Sequence, residues 1–171
     1  DRDGIVWTSP NTGRQLSRYN PATKELNVYD VPETSGGGIT VDRQGNVWFG
    51  GHSSDRIWKF TCAEDRKTLV SSESVLVGPQ PKSASIDADG YLWTVCLGNN
   101  MAYKIDTTTN SIVPGWPVPT GAGPYNYSDM TGDRLQTVTQ RSGTWTEIVD
   151  SGRLSAAWAG VEIDASLPAQ S

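Results

Sequence analysis

The chain is poor in charge and in the side chains that most often do chemistry. Charged residues make up 19%, and there is one histidine, with two cysteines and two methionines. No apolar run approaches the ~18 residues of a membrane-spanning helix. No stretch repeats its apolar residues at helical spacing for a useful length; the nearest candidate, Leu154 to Ile163, reads more easily as strand. No leader peptide is present, although a mature or partial chain would have lost one. The 14 basic and 19 acidic residues leave a net charge of −5, which argues against nucleic acid as the main partner. Cys62 and Cys96 allow two readings, a disulfide formed in an oxidising compartment or two separate buried thiols, because sequence cannot place their Cα atoms within bonding reach.

Gly (18), Pro (10) and Trp (7) are plentiful, as expected for short strands joined by tight turns. The phrase Asp-x-x-Gly-x-x-Trp occurs from Asp1 to Trp7, from Asp42 to Trp48 and from Asp87 to Trp93. A worn copy runs from Asp129 to Leu135, with Leu in place of Trp, and the four glycines are 41, 45 and 42 residues apart. Asp at the first position and Gly at the fourth suit a type I turn, with Gly left-handed to open a hairpin. Trp then lies in the strand that follows. Leu16 to Tyr19, Ile57 to Phe60 and Ala102 to Ile105 read as the next strand of each unit. Glu25 to Tyr29 and Ser111 to Val113 read as the one after, while Gly38 to Val41 and Ser83 to Ile86 precede the Asp. Four short antiparallel strands recurring every 40–45 or so residues predict β-propeller blades in an all-β fold.

The first unit starts after its innermost strand. With three clear units and a worn fourth start, the expectation is an incomplete ring or a fragment of a longer protein. Residues 1–140 are assigned to the blades. Residues 141–171 are read as closing strands, as the beginning of a β-sandwich, or, with the residues before them, as a degenerate fourth blade.

The stretches Gly38 to Phe49 and Ser85 to Thr94 resemble the repeats of streptogramin-lyase-like (virginiamycin B lyase-like) and NHL-type propellers. The resemblance covers about residues 1–140. It implies a propeller and, in the enzymes, an elimination that opens a cyclic depsipeptide with a histidine base and a magnesium ion. Their blades often read His-Gly-Ile before the turn and Trp-Phe-Thr-Glu after it. The matching places here hold Gly37 for the His and Gly51 for the Glu. No cofactor is therefore expected, and magnesium or calcium enters only by that analogy. Residues 125–132 and 143–152 also look like a junction in large bacterial secreted or surface proteins. The expected function is a non-catalytic binding or structural module of an extracytoplasmic protein, with a protein or glycan partner, self-assembly, or other segments of the same protein as its contacts. The alternative is a lyase or hydrolase whose catalytic blade lies outside this segment.

Contacts are expected on the face formed by the connections between blades and the loops between second and third strands. The candidates are Asn11, Arg14, His52, Asp55, Arg56, Lys82, Asn99 and Asn100. His52 needs a partner to act as base or ligand, and Asp55 is the nearest acid in sequence; a solvated loop histidine is the plainer expectation. Catalysis needs several groups in register, so no catalytic or metal residue is assigned. The Asp1/Asp3 and Asp87/Asp89 pairs suggest a calcium loop, but Ile5 and Tyr91 stand where a further oxygen is required, which favours turn formation. Identical register makes Trp7, Trp48 and Trp93 packing residues, whereas Trp58 and Trp116 break register and are better candidates for exposure, with core as the alternative for Trp58 because it alternates with Lys59. The Gly36–Gly38 run could cradle an anion, though no helix follows it.

Overall fold

A computed structural model describes Asp1 and residues 3–127, which lie within the first of the two units into which the chain divides, Asp1–Gln140 and Arg141–Ser171. The worn repeat at Asp129, the Leu154 to Ile163 segment, the junction reading and the assignment of residues 141–171 lie outside the described residues. There is no helix among the described residues, and twelve strands form three antiparallel sheets. Sheet one is β1 (Val6–Thr8), β2 (Gln15–Asn20) and β3 (Glu25–Asp30). Sheet two is β4 (Gly36–Val41), β5 (Val47–Gly51), β6 (Arg56–Cys62) and β7 (Leu69–Leu76), in chain order. Sheet three is β8 (Ser85–Ile86), β9 (Tyr91–Cys96), β10 (Met101–Asp106) and β11 (Ser111–Ile112), with β12 (Val118–Pro119) also pairing with β10.

The repeated phrase leads into β1, β5 and β9, and the same bonds recur there. Gly4, Gly45 and Gly90 have φ of 74°, 89° and 90°, the left-handed region where a Cβ would be strained. Their amides donate to the carbonyls of Asp1, Asp42 and Asp87 at 3.1–3.2 Å, closing the turns. The Oδ1 of each Asp accepts the amide of the fourth residue on: Ile5, Asn46 and Tyr91, at 2.8–2.9 Å. In sheets two and three the Oδ2 also accepts the indole N–H six residues on, from Trp48 at 2.8 Å and from Trp93 at 2.7 Å. Trp7 lacks this bond, and its Nε1 is buried without a partner.

Trp7 packs against the cluster between sheets one and two and Trp48 against sheet three, as their shared register predicts, while Trp93 meets Trp116 edge-on. Val47 and Phe49 point from β5 toward sheet one, where they pack with Leu16, Val31, Val41 and Phe60. Trp48 points the other way, against Ala84, Ile86, Leu92 and Ile105 of sheet three and its approach. β5 is thus buried on both faces, with Trp48 and Phe49 at 0% exposure. The Gly36–Gly38 run serves packing rather than an anion. A Cβ on Gly36 would lie 2.8 Å from the Pro10 carbonyl oxygen, one on Gly37 2.7 Å from that of Lys82, and one on Gly38 2.9 Å from that of Tyr127.

The two tryptophans that break register are both half-buried, which corrects the exposure expected of Trp116 and, for Trp58, favours the core alternative. Trp58 is half-buried beside Phe60 and donates to Ser54 Oγ at 3.0 Å. Trp116 is half-buried, edge-on to Trp93 at 4.8 Å, because the outer strand of sheet three breaks between β11 and β12 and folds it inward. Both cysteines are free thiols; burial pushes Cys96 up to about 11 and raises Cys62 as well.

Asp42→Asn places an amide N–H₂ opposite the buried Trp48 indole. The expected loss is about 1–3 kcal/mol in chemical denaturation, shrinking in a Trp48→Phe background. An equal loss in both backgrounds would mean that the carboxylate does not act through the indole.

Candidate functional site

The strand connections of the three sheets meet on the face opposite the Asp turns. The centre of this face was not legible from sequence: it is Glu33, a fully buried carboxylate in the connection from β3 to β4. Its Oε1 accepts the amides of Thr34 at 2.8 Å and Ser35 at 2.9 Å, together with the Ser53 hydroxyl. Its Oε2 accepts the Ser54 hydroxyl at 2.5 Å. Burial alone raises the carboxyl, but the bonds from Ser53, Ser54, Ser35 and Thr34 outweigh it and hold Glu33 below the ordinary glutamate value. The carboxylate lies against Gly51, where any Cβ would strike it. Only the run Glu33-Thr34-Ser35, an acid followed by amides free to turn back on it, hinted at this in the sequence.

His52 follows Gly51 and is not a solvated loop residue. It is half-buried, stacked on Tyr127 with ring centres 6.0 Å apart, and its amide donates to the Ser35 carbonyl at 2.8 Å. Its Nδ1 lies 3.5 Å from Ser35 Oγ, while Nε2 is buried without a hydrogen-bond partner and packs on Gly37. Desolvation first, then the Lys82 charge, lower its pKa from 6.5, against an opposing pull from Glu33. Asp55 is not its partner. At φ 58° Asp55 accepts the Gln80 amide through Oδ1 at 3.2 Å and the Val77 amide through its carbonyl at 2.9 Å, tying one connection to the next.

The remaining candidates fall into separate groups. Asn11 and Arg14 are exposed in the loop between β1 and β2. Arg56 donates to Ser74 Oγ across β6 and β7 at 3.2 Å. Asn99 donates to the Tyr103 hydroxyl at 3.0 Å. Asn100, at φ 56°, accepts the Thr120 amide at 3.0 Å and, through Oδ1, the Gly123 amide at 2.8 Å, so it anchors the segment leading to Tyr125. Lys82 is 8% exposed, with its ammonium 5.5 Å from the centre of the Tyr125 ring. The structure therefore brings His52, Lys82, Tyr125 and Tyr127 together, and leaves Asn11 and Arg14 without contact to them.

On the opposite face a cleft of about 240 Å³ runs between the Asp turns, lined by Asp42, Asp89, Tyr91 and Asp106 among others. Two of its acids have local duties. Asp42 holds Asn46 and Trp48, and Asp106 accepts the Thr108 hydroxyl and amide and the Thr109 amide, which lower its pKa. The magnesium ion implied by the resemblance does not fit the described residues on either face. Glycines occupy the two matching places, and among the described residues Glu33 is joined by no group of acids, His or Cys that could complete a metal's oxygen shell.

Three antiparallel sheets joined in series, each carrying the same turn and packed on its neighbour through two shared clusters, define a β-propeller. Solved structures of that class are similar to the chain. Virginiamycin B lyase from Staphylococcus aureus matches with a TM-score of 0.60 at 22% identity, over 72% of this chain and 41% of that one. A streptogramin B lyase matches with 0.58 at 23%, over 70% and 38%. Hydrazine synthase from Kuenenia stuttgartiensis matches with 0.61 at 21%, over 72% and 35%. At these identities the likeness is one of fold, and the chain spans about two fifths of the length of the solved lyases. No protein-family profile matches the chain, and no curated protein sequence does.

The chain has one histidine, so its imidazole is directly assignable by NMR. Its titration midpoint is expected below 6.5, rising when Lys82→Met removes the neighbouring charge. With the folded value depressed, the neutral ring favours the fold; that contribution is complete above the unfolded value and is lost as pH falls through the folded one. A midpoint at or above 6.5 would contradict this placement.

Proposed function

We propose that this segment is a non-catalytic contact module of a larger extracytoplasmic protein. It engages a protein or glycan partner through the connections between sheets and the loops between second and third strands. The observation that carries this reading is the pair of occupied places. Gly37 and Gly51 stand where the resembling enzymes carry His and Glu, and the space beside them is filled by His52 and Glu33, facing inward. Glu33 is fully buried and already accepts four hydrogen bonds, three of them on Oε1, and His52 Nε2 is buried behind Gly37. A base must reach the proton it removes, and neither group is placed to do so. The side chains that do reach solvent on this face are contact residues: Tyr125, Tyr127, Asn100, Asn11 and Arg14. One propeller fold carries many functions, so the fold likeness leaves the choice to these residues.

The same observation keeps a lyase as the second reading. An imidazole and a carboxylate lie beside the places where such an enzyme needs them, although each comes from a different residue. Two assays separate the readings. Incubation with a streptogramin B depsipeptide and magnesium is expected to leave the ring intact. On glycan and surface-protein arrays, partners are expected to be lost on Asn11→Arg combined with Arg14→Glu and retained on Gln44→Arg, which alters the turn face. Ring opening that disappears in His52→Ala would establish the lyase instead.

A further inference from the structure

We propose that Lys82, Tyr125 and Tyr127 form a binding site for a carboxylate-bearing sugar residue. This deepens the contact-module reading and rests on it.

Lys82 is held from both sides by its backbone: its amide donates to the Val95 carbonyl at 2.9 Å, and its carbonyl accepts the Gly38 amide at 2.9 Å. Its side chain has little freedom to leave, at 8% exposure. Lys59 and Lys67 reach Glu73 and Glu25. Among the described residues, the Lys82 ammonium pairs with no carboxylate and donates no hydrogen bond; its contact is the Tyr125 ring. A largely desolvated cation facing one ring gains from an anion that completes its shell. The lysine is thus a fixed point charge awaiting one acid group.

The rings beside it set the shape of what carries that acid. Tyr125 and Tyr127 are 61% and 48% exposed, 4.8 Å apart and inclined at 69°. Tyr127 is backed by His52 on one side and remains about half exposed. Asn100 fixes the approach through its bonds to Thr120 and Gly123. Two inclined aromatic faces suit a rigid ring whose C–H groups lie against them while its hydroxyls stay hydrated. A pyranose with a carboxylate offers both features at once. A nucleic acid also stacks, but its phosphates would meet a chain of net charge −5. An acidic peptide offers the charge without a rigid face.

The full chain is titrated with trigalacturonate, with a neutral trisaccharide and with a short poly-glutamate peptide, by calorimetry and NMR. Saturable binding of the uronate is expected, about tenfold or more tighter than the neutral sugar or the peptide, falling about tenfold or more in Lys82→Met and recovering in Lys82→Arg. Tyr125→Ala, at an exposed position, is expected to fall similarly with the thermal midpoint unchanged, which keeps the test sound if Lys82→Met misfolds. No saturable binding, equal binding of the neutral sugar or the peptide, or indifference to Tyr125→Ala overturns the proposal. Loss of the sugar while array partners still depend on the loop face overturns this site and leaves the contact-module reading standing.

Discussion

An indole N–H and a carboxylate oxygen, 2.8 Å apart in sheet two and 2.7 Å in sheet three, join the turn of those two repeats to the layer behind it. One oxygen of the Asp shapes the turn and the other fixes the Trp, so a local hairpin sets the direction of a large side chain. Trp48 then packs on the next sheet, and that contact gives β5 its second buried face. Because buried polar groups are costly when unpaired, the Asp and the Trp are each retained by the other. The strand connections inherit their positions from this packing, and with them the whole contact face.

The fold was legible because its signal is local and repeated. Asp, Gly and Trp lie within seven residues of each other, and turn geometry and strand alternation translate that spacing directly into structure. The indole bond itself was missed, since spacing alone does not say which polar atoms meet. The break between β11 and β12 was missed for a similar reason: the sequence marks Ser111 to Val113 as strand but does not say where the chain returns to β10.

The candidate site was legible only in part. Lys82 and His52 were identified by type and loop position, and they do lie together. Glu33 was passed over, because its partners Ser53 and Ser54 come from a loop about 20 residues away in sequence. Tyr125 and Tyr127 lie far from Lys82 along the chain and near it in space. Glycines 37 and 51 looked like losses of chemistry in the sequence. In the fold they are spaces that neighbouring side chains fill, so position along the strand and position in the site no longer coincide.

The carboxylate–indole bond locks the second and third repeats. Hydrogen exchange of the indole protons tests it most directly, because that proton exchanges only when its bond opens. The account predicts that the Trp48 indole proton exchanges as slowly as the most protected amides of β5. Exchange as fast as that of Trp116 would contradict it.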